Sequence, residues 1–237
     1  MYRAIRLIDR LTDYVLLLFF LLLFLIGGYT MLDTLMIYDA AKGEDLRSFR
    51  PLLVQEDGEA AVVWDMSALS EDVVAWLTVD ETDIDYPVMQ GVDNSEYLNK
   101  DPFGEFSLAG SIFLDARNAP DFTDEYSLIY GHHMEYGRMF GALDEFLDEA
   151  YFDEHTAGTL TVGGTAYAIS LFACVEADAT VEEIFAPTQT EGTLEYVLQN
   201  ACILREPGEG RLIALSTCKF PQTTDRIIVF GVLSDEQ

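Results

Sequence analysis

Cys218 is the residue of this chain whose type and position best suit covalent chemistry. It ends the run RLIALSTC, residues 211–218, in which successive residues alternate as they do in a strand with two different faces. The apolar run DRIIVF at 225–230 follows the short segment KFPQTT, so the sequence predicts a β-hairpin. Antiparallel pairing would place Cys218 opposite Arg226, with Cβ atoms about 4.5–5.5 Å apart and within reach of a guanidinium.

A cysteine attacks as its thiolate, and a neighbouring cation favours that form. The chain has only 13 Lys and Arg against 42 Asp and Glu, yet Arg211, Lys219 and Arg226 flank this cysteine in sequence. We therefore expect these three cations to cluster around Cys218. The alternative is that Cys218 is a small buried residue at the end of a strand, with no chemical role.

Histidine is the expected proton partner for such a thiol. His132 and His133 follow Gly131 at the end of the strand-like run Ser127–Tyr130, and glycine permits a sharp turn and close backbone approach there. A neutral imidazole can take a proton from a thiol, and its cation can protonate a leaving amine. A metal site is the rival interpretation, but adjacent histidines on a strand point apart, so we predict no metal and no other cofactor. His155 is expected to be structural or exposed.

The N-terminal segment predicts a membrane anchor. No residue from Tyr14 to Leu32 is charged, and a helix of that length rises about 28 Å, close to the thickness of a bilayer core. A cleaved signal peptide is the alternative, but no A-x-A-like site follows the apolar run. Arg3, Arg6 and Arg10 precede the span and favour a cytoplasmic N-terminus. The predicted organisation is a cytoplasmic tail at 1–13, the span at 14–32, a stalk at 33–65 and an extracellular catalytic domain at 66–237.

Composition restricts the class of partner. The formal net charge is −29, which argues against nucleic-acid binding because phosphate contacts need a basic surface. Half of the residues are hydrophobic, enough for a folded core. A solvated acidic surface is the simplest interpretation. An anchored acidic binding module, with Cys218 as a core residue, remains the non-enzymatic alternative.

The pattern beyond the span predicts a mostly β domain with peripheral helices, a barrel or sandwich more than a βαβ array. Short runs rich in β-forming residues predict strands at Asp85–Gln90, Ser111–Leu114, Ser127–Tyr130, Thr159–Val162 and Tyr167–Ala173. Apolar residues at helical spacing predict a helix that contains Val73, Val74 and Leu77, capped by Ser67 or Ser70, and further helices near 139–152 and 193–204. The segment 33–60 is expected to be partly helical.

The two remaining cysteines lie in apolar surroundings. Cys174 falls within a strand-like run and Cys202 on the apolar side of a predicted helix. Both are predicted to be buried free thiols, and a disulfide between them is the alternative.

Several segments together resemble the sortases, the cysteine transpeptidases of Gram-positive cell surfaces. They are YGHHM at 130–134, LSTC at 215–218 and the downstream Arg226. The segments DNSEYL at 93–98, GSIFLDARN at 110–118 and MFG at 139–141 are similar to class B members in the same order. The resemblance covers about residues 66–233 and implies an eight-stranded β-barrel.

The resemblance also implies roles for particular residues. Cys218 corresponds to the nucleophile, His132 to the catalytic histidine and Arg226 to the oxyanion or substrate clamp. The positions that match substrate contacts in class B are Asn94, Leu98, Tyr130 and Ser216. Lys219 departs from the acidic residue often found directly after the cysteine in class B, and the loop after it is short, so the preferred substrate stays open.

The implied reaction is acyl transfer at the cell surface. The thiolate attacks the C-terminal sorting signal of a surface protein or pilin, forms a thioester, and passes the acyl group to an amine of a cell-wall precursor or a pilin. An extracytoplasmic cysteine protease that uses water as the second nucleophile is the alternative enzyme. The partners expected are therefore such proteins, the acceptor amine and the membrane.

Overall fold

The computed structural model describes residues 2–40, 46–56, 59–188, 192–218 and 224–235. The chain divides into two units, Met1–Asp39 and Ala40–Gln237. The described residues of the first unit are helical and belong to α1, Tyr2–Ala40. The stretch Ile5–Ile37 of α1 is a candidate membrane span by length and composition, and an 18-residue window within it has a mean hydropathy of 2.6. The span expected at 14–32 lies within this stretch, while its boundaries and orientation remain predictions.

The second unit is mainly β-structure with short helices between the strands. The strands are β1 (Leu52–Glu56), β2 (Glu59–Val63), β3 (Val73–Val79), β4 (Asp85–Met89), β5 (Ile112–Leu114), β6 (Tyr126–Tyr130), β7 (His133–Met134), β8 (Arg138–Met139), β9 (Ala157–Val162), β10 (Thr165–Asp178), β11 (Ile203–Leu204), β12 (Arg211–Cys218) and β13 (Asp225–Asp235). The α-helices are α2 (Glu149–Glu154), α3 (Glu182–Phe185) and α4 (Thr193–Asn200), and 3₁₀ helices lie at Leu46–Phe49, Glu96–Leu98, Glu135–Gly137 and Phe140–Leu147.

Eight of these strands form a closed barrel. Hydrogen bonds connect them in the order β9, β3, β4, β5, β6, β12, β13, β10, and β10 pairs back with β9. Neighbours run antiparallel except at β4–β5 and β6–β12, where they run parallel. The strand β11 adds to the free side of β10. The eight-stranded barrel implied by the sequence is therefore confirmed.

The alternation of side chains along β12 and β13 explains why the barrel has two buried layers. Ile213 of β12 and Val229 of β13 belong to one apolar cluster, whereas Ala214 and Phe230 belong to another that also includes Val197 of α4. Since α4 lies outside a closed barrel, the second cluster lies between the wall and its helices, and the first fills the interior. Burying both faces explains why β13 is almost entirely apolar.

The predicted helix through Val73, Val74 and Leu77 is wrong, because these residues form strand β3. β3 is rich in β-branched and aromatic residues and pairs with β4 on one side and β9 on the other. The helix predicted at 193–204 ends at Asn200, and the following residues Ile203–Leu204 form β11. The other predicted strands are present within a few residues, and the 139–152 helix appears as a 3₁₀ helix followed by α2.

One further difference lies before the barrel. The segment 33–60 is partly helical as expected, since α1 continues to Ala40 and a 3₁₀ helix covers Leu46–Phe49, but the segment predicted as a stalk also contains the hairpin β1–β2, which the sequence did not indicate. Residues 57 and 58, which connect these two strands, fall outside the described residues.

Gly141 lies where the segment that follows His132 packs closely against another part of the backbone. The short hairpin of β7 and β8 returns the chain so that the Phe140 amide donates to the His132 carbonyl at 3.1 Å. A Cβ atom on Gly141 would lie 2.0 Å from the carbonyl oxygen of Met134. This close approach of two backbone segments explains why glycine occupies position 141.

We expect Gly141→Ala to lower the free energy of unfolding by about 3 kcal/mol, because the methyl group must push one backbone segment away from another. The measurement is urea denaturation of the full chain, followed by tryptophan fluorescence. Gly208→Ala is the matched control, because its Cβ would meet the side chain of Val232 at 3.2 Å instead of backbone. Equal losses in the two variants would contradict the proposed clash.

Candidate active site

The parallel pairing of β6 and β12 brings the predicted histidine and cysteine to the same level of the barrel. Tyr130 pairs with Ser216, so His132 and Cys218 each lie two residues beyond this pair. Neighbouring strands lie about 4.8 Å apart. The backbone alone therefore places the two predicted catalytic positions side by side.

Two hydrogen bonds continue this contact beyond the strand pairing. The Gly131 amide donates to the Ser216 carbonyl at 3.1 Å, and the Thr217 hydroxyl donates to the Gly131 carbonyl at 3.0 Å. A Cβ on Gly131 would lie 2.5 Å from Ile112 Cδ1 and 2.7 Å from the ring of Phe140. Ile112 and Phe140 therefore leave no room for a side chain at position 131, directly before His132.

The predicted hairpin register is confirmed, because Cys218 pairs with Arg226 across β12 and β13. The side chain of Cys218 lies outside the described part of the chain, as does Lys219 with most of the connecting loop. On the other strand, Arg226 Nη1 donates to the Asp225 carbonyl at 3.2 Å. The carboxylate of Asp178, which accepts the Thr224 hydroxyl, anchors the start of β13.

Arg211 does not belong to this cluster, so the expectation of three clustered cations is wrong for that residue. It pairs with Leu233 at the far end of β12, about 23 Å away at the rise of a strand. There its guanidinium lies over the ring of Tyr167, at 5.1 Å from the centroid. Arg211 and Cys218 are close in sequence, but they lie at opposite ends of an extended strand and are therefore far apart in space.

The His132 ring is half-buried and held by the main chain of another segment. Its Nε2 lies 2.7 Å from the carbonyl oxygen of Leu98. Because a carbonyl only accepts, Nε2 carries the proton in this contact, and in the neutral ring Nδ1 is the basic nitrogen. By contrast, His133 Nε2 lies 2.8 Å from the carboxylate of Asp144, so the two neighbouring histidines have different partners. His155 is structural, since its Nδ1 lies 2.7 Å from the Tyr151 carbonyl.

A buried carboxylate, Asp115, joins two of the predicted substrate contacts. Its side chain is fully buried, and Arg117 binds it in a bidentate manner at 2.8 and 2.7 Å. Asn94 Nδ2 donates to Asp115 Oδ2 at 2.9 Å, and the Tyr130 hydroxyl donates to the same oxygen at 3.1 Å. Both side chains are therefore oriented by one anion.

The pKa of Asp115 shows which influence dominates at this group. Burial by itself raises that pKa, but the hydrogen bonds from Arg117 and Asn94 outweigh burial and hold it below the usual range. Burial, and then the adjacent carboxylate, raises the pKa of the Tyr130 phenol. Asp115 is therefore a stable anion, and Tyr130 stays a protonated donor.

The sequence predicted neither Asp115 nor the role of the Leu98 carbonyl. Asp115 lies in the GSIFLDARN segment, where Asp-x-Arg directly after a buried strand was an available signal for an ion pair. Arg117 also donates to the Phe185 carbonyl at 2.7 Å, which connects the cluster to α3. The Leu98 carbonyl has no side-chain signature, so only the structure reveals its contact with His132.

Ser216 lies beside Tyr130 in the parallel pair and is 1% exposed. Its hydroxyl finds no hydrogen-bond partner within the part of the chain that the structure describes. A buried hydroxyl without a partner is costly, and such groups often belong to binding sites. Asn94, Leu98, Tyr130 and Ser216 are thus connected to the segment that carries His132.

Comparisons with known proteins agree with this geometry. The family model described as Sortase domain matches residues 77–234. Sortase B of Listeria monocytogenes serovar 1/2a is 37% identical over 178 residues, covering 71% of this chain and 72% of the relative. A Streptococcus pyogenes class B sortase involved in pilus biogenesis is 41% identical with a TM-score of 0.66, covering 72% of this chain and 96% of that one. The Staphylococcus aureus sortase B–substrate complex has a TM-score of 0.66 at 25% identity, covering 73% of this chain and 84% of that one.

We expect Asp115→Asn to lower the free energy of unfolding at pH 7 by about 2 kcal/mol, because the buried charge-assisted hydrogen bonds are lost. A carboxyl whose pKa is lower in the folded state stabilises the fold at any pH above its unfolded-state pKa. This contribution is lost as the pH falls through the folded-state pKa. The difference between the wild-type protein and the variant should therefore shrink below pH of about 4.

Urea denaturation of the full chain between pH 7 and pH 3 measures this difference. Asp121→Asn is the control, since that carboxylate is exposed and accepts its hydrogen bonds from Thr123 within its own turn. A difference for Asp115→Asn that stays constant over this range would show that the charge is not what stabilises the cluster.

Proposed function

Because this chain belongs to the sortase family and is a cysteine transpeptidase, we propose that it cleaves the C-terminal sorting signal of a surface protein or pilin. The acyl group passes through a thioester on Cys218 to an amine of a cell-wall precursor or pilin. One observation supports this most strongly: β12 lies between β6 and β13, so position 218 has the His132 segment on one side and Arg226 on the other.

In the proposed first step, the thiolate of Cys218 attacks the carbonyl carbon of the scissile peptide bond. Arg226, with nearby backbone amides, stabilises the negative charge that develops on the carbonyl oxygen. His132 protonates the departing amine, which leaves a thioester on Cys218. The Leu98 carbonyl supports this role, because it engages Nε2 and leaves Nδ1 as the nitrogen that exchanges the proton.

In the proposed second step, an amine attacks the thioester and His132 takes up its proton. The thiolate leaves and the new amide bond is released. Water competes with the amine for the same thioester, so the enzyme is a transpeptidase only where the amine is the faster nucleophile. A pilin is among the proposed substrates because a relative that is 41% identical is involved in pilus biogenesis.

We assign substrate contacts to Asn94, Leu98, Tyr130 and Ser216. Asn94 and Tyr130 are fixed by Asp115, so they present a preorganised surface that needs little reordering on binding. The buried hydroxyl of Ser216 gains a partner if a substrate amide reaches it. The proposed topology keeps residues 1–13 in the cytoplasm and residues 66–237 outside the cell, with the candidate span between them.

The test of the reaction uses the full chain in detergent micelles and a sorting-signal peptide, with and without an amine acceptor such as triglycine. We expect a peptide–acceptor conjugate that forms only when the amine is present, and a thioester on Cys218 detectable by mass spectrometry. Cys218→Ala should form neither. Identical hydrolysis products with and without the amine would overturn the transferase proposal in favour of a protease.

The two adjacent histidines provide a matched pair for the proposed proton transfer. We expect His132→Ala to reduce kcat/KM about 10²–10⁴-fold, in the range for loss of general acid–base catalysis. His133→Ala should stay within about threefold of the wild type, because the His133 ring is engaged by the Asp144 carboxylate. Steady-state rates of conjugate formation measure both variants, and equal losses would contradict the assignment of His132.

A further inference from the structure

Two cysteines away from the proposed active site lie next to each other. Cys174 is in β10, and Cys202 lies directly before β11, the strand that pairs with β10. The Cys202 amide donates to the Cys174 carbonyl at 2.9 Å, and the Cys202 sulfur lies 3.2 Å from the same oxygen. Two segments of the chain thus bring these residues together through their main chains.

This arrangement suits a disulfide bond. The strand register pairs Cys174 with Ile203, so Cys202 is its diagonal neighbour across the pair. The single backbone hydrogen bond of 2.9 Å holds the two main chains in contact, and bridged cysteines have Cα atoms about 4.4–6.8 Å apart, a range that such a contact reaches. The two residues need no backbone movement of several ångström to be bridged. Both are free thiols in this structure, as predicted, and Cys174 is buried. The predicted burial of Cys202 on a helix is wrong, because α4 ends at Asn200 and Cys202 is exposed in the connection to β11.

We propose that Cys174 and Cys202 form a reversible disulfide that fastens the connection between β10 and β12 to the barrel wall. Cys202 reacts first because it is exposed, whereas Cys174 is reached only from within the protein. A low-molecular-weight disulfide or an oxidised dithiol protein supplies the oxidising equivalents. Neither cysteine takes part in the acyl transfer described above.

The chemistry is two successive thiol–disulfide exchanges. The Cys202 thiolate attacks one sulfur of the external disulfide, forms a mixed disulfide and releases one thiolate. The Cys174 sulfur, after losing its proton, attacks the Cys202 sulfur of that mixed disulfide and releases the second external thiolate. The two cysteines lose two electrons and two protons in total, and the external disulfide becomes two thiols.

The different exposure of the two thiols supports this order, since Cys202 is exposed and Cys174 is buried. The neighbouring Cys174 side chain also lowers the pKa of Cys202, whereas the neighbouring Cys202 side chain and burial raise the pKa of Cys174. Cys202 is therefore the readier nucleophile towards an external disulfide. Cys174 becomes reactive only when the mixed disulfide has formed beside it, where the effective concentration of the leaving group is high.

The closed loop would contain α3 and α4, which cover the outer apolar layer of the barrel. It also contains Phe185, whose carbonyl accepts from Arg117 in the Asp115 cluster. The disulfide would thus restrict the motion of a segment that contacts the proposed active site. It would also reduce the number of conformations open to the unfolded chain, which is the main way in which a disulfide stabilises a fold.

The test uses the full chain in detergent, in a Cys218→Ala background so that only the two cysteines remain. The protein is equilibrated with oxidised and reduced glutathione, quenched in acid, unfolded and treated with a maleimide. Trypsin is unsuitable because both cysteines fall on one peptide, residues 139–205. Cleavage after glutamate separates Cys174 on residues 155–176 from Cys202 on residues 196–209, since the bond between Glu206 and Pro207 resists cleavage, so a linked pair identifies the disulfide.

We expect the linked pair in oxidising buffer, its loss with dithiothreitol, and a melting temperature higher by about 5–10 °C in the oxidised form. Cys202→Ser should remove this shift in melting temperature. In a chain that retains Cys218, Cys202→Ser should carry out acyl transfer at the same rate as the wild-type protein with both cysteines as free thiols. The inference is overturned if both cysteines stay open to the maleimide, or if Cys202 retains glutathione while Cys174 remains reduced. These results are independent of the acyl-transfer assay, so the failure of one proposal is distinguishable from failure of the other.

Discussion

The parallel pairing of β6 with β12 is the constraint on which the proposed active site depends. It is one of two parallel contacts in an otherwise antiparallel barrel, and it runs two distant segments in the same direction. Both strands therefore end at the same edge, where His132 and Cys218 follow the pair formed by Tyr130 and Ser216. An antiparallel neighbour would have put these two ends at opposite edges of the barrel, about 15 Å or more apart. The hydrogen bonds around Gly131 then continue the alignment past the last paired residue.

The buried Asp115 carboxylate is the second constraint, and it acts through electrostatics instead of strand pairing. A fully buried charge is tolerated only when hydrogen bonds and an opposite charge compensate for its lost hydration. Arg117 provides that charge from a half-exposed position, and Asn94 and Tyr130 complete the shell. The same hydrogen bonds that stabilise the Asp115 anion also hold the side chains of Asn94, Tyr130 and Arg117 in one orientation. Tyr130 also belongs to the paired strand, so the cluster and the β6–β12 contact share a residue.

The parts of the fold that could be predicted are those in which local periodicity and tertiary structure agree. The alternation in RLIALSTC and the apolar run after it predicted the β12–β13 hairpin and the pairing of Cys218 with Arg226. The β3 strand shows the opposite case, because Val73, Val74 and Leu77 fit a helical spacing as well as a strand. Seven residues are too few for periodicity to decide, and pairing with two neighbouring strands decided it.

The sequence by itself determined the apolar N-terminal helix, the strand-forming runs, the hairpin that joins Cys218 to Arg226, and the residue types able to perform acyl transfer. These depend on composition and on neighbours within a few residues along the chain. Only the tertiary structure decided that the segment of His132 lies beside the end of β12, that the Leu98 carbonyl engages the His132 ring, and that Arg211 is remote. The contacts concerned join residues as many as 86 positions apart. They arise from closing the barrel, and no local pattern carries the information about which strands become neighbours.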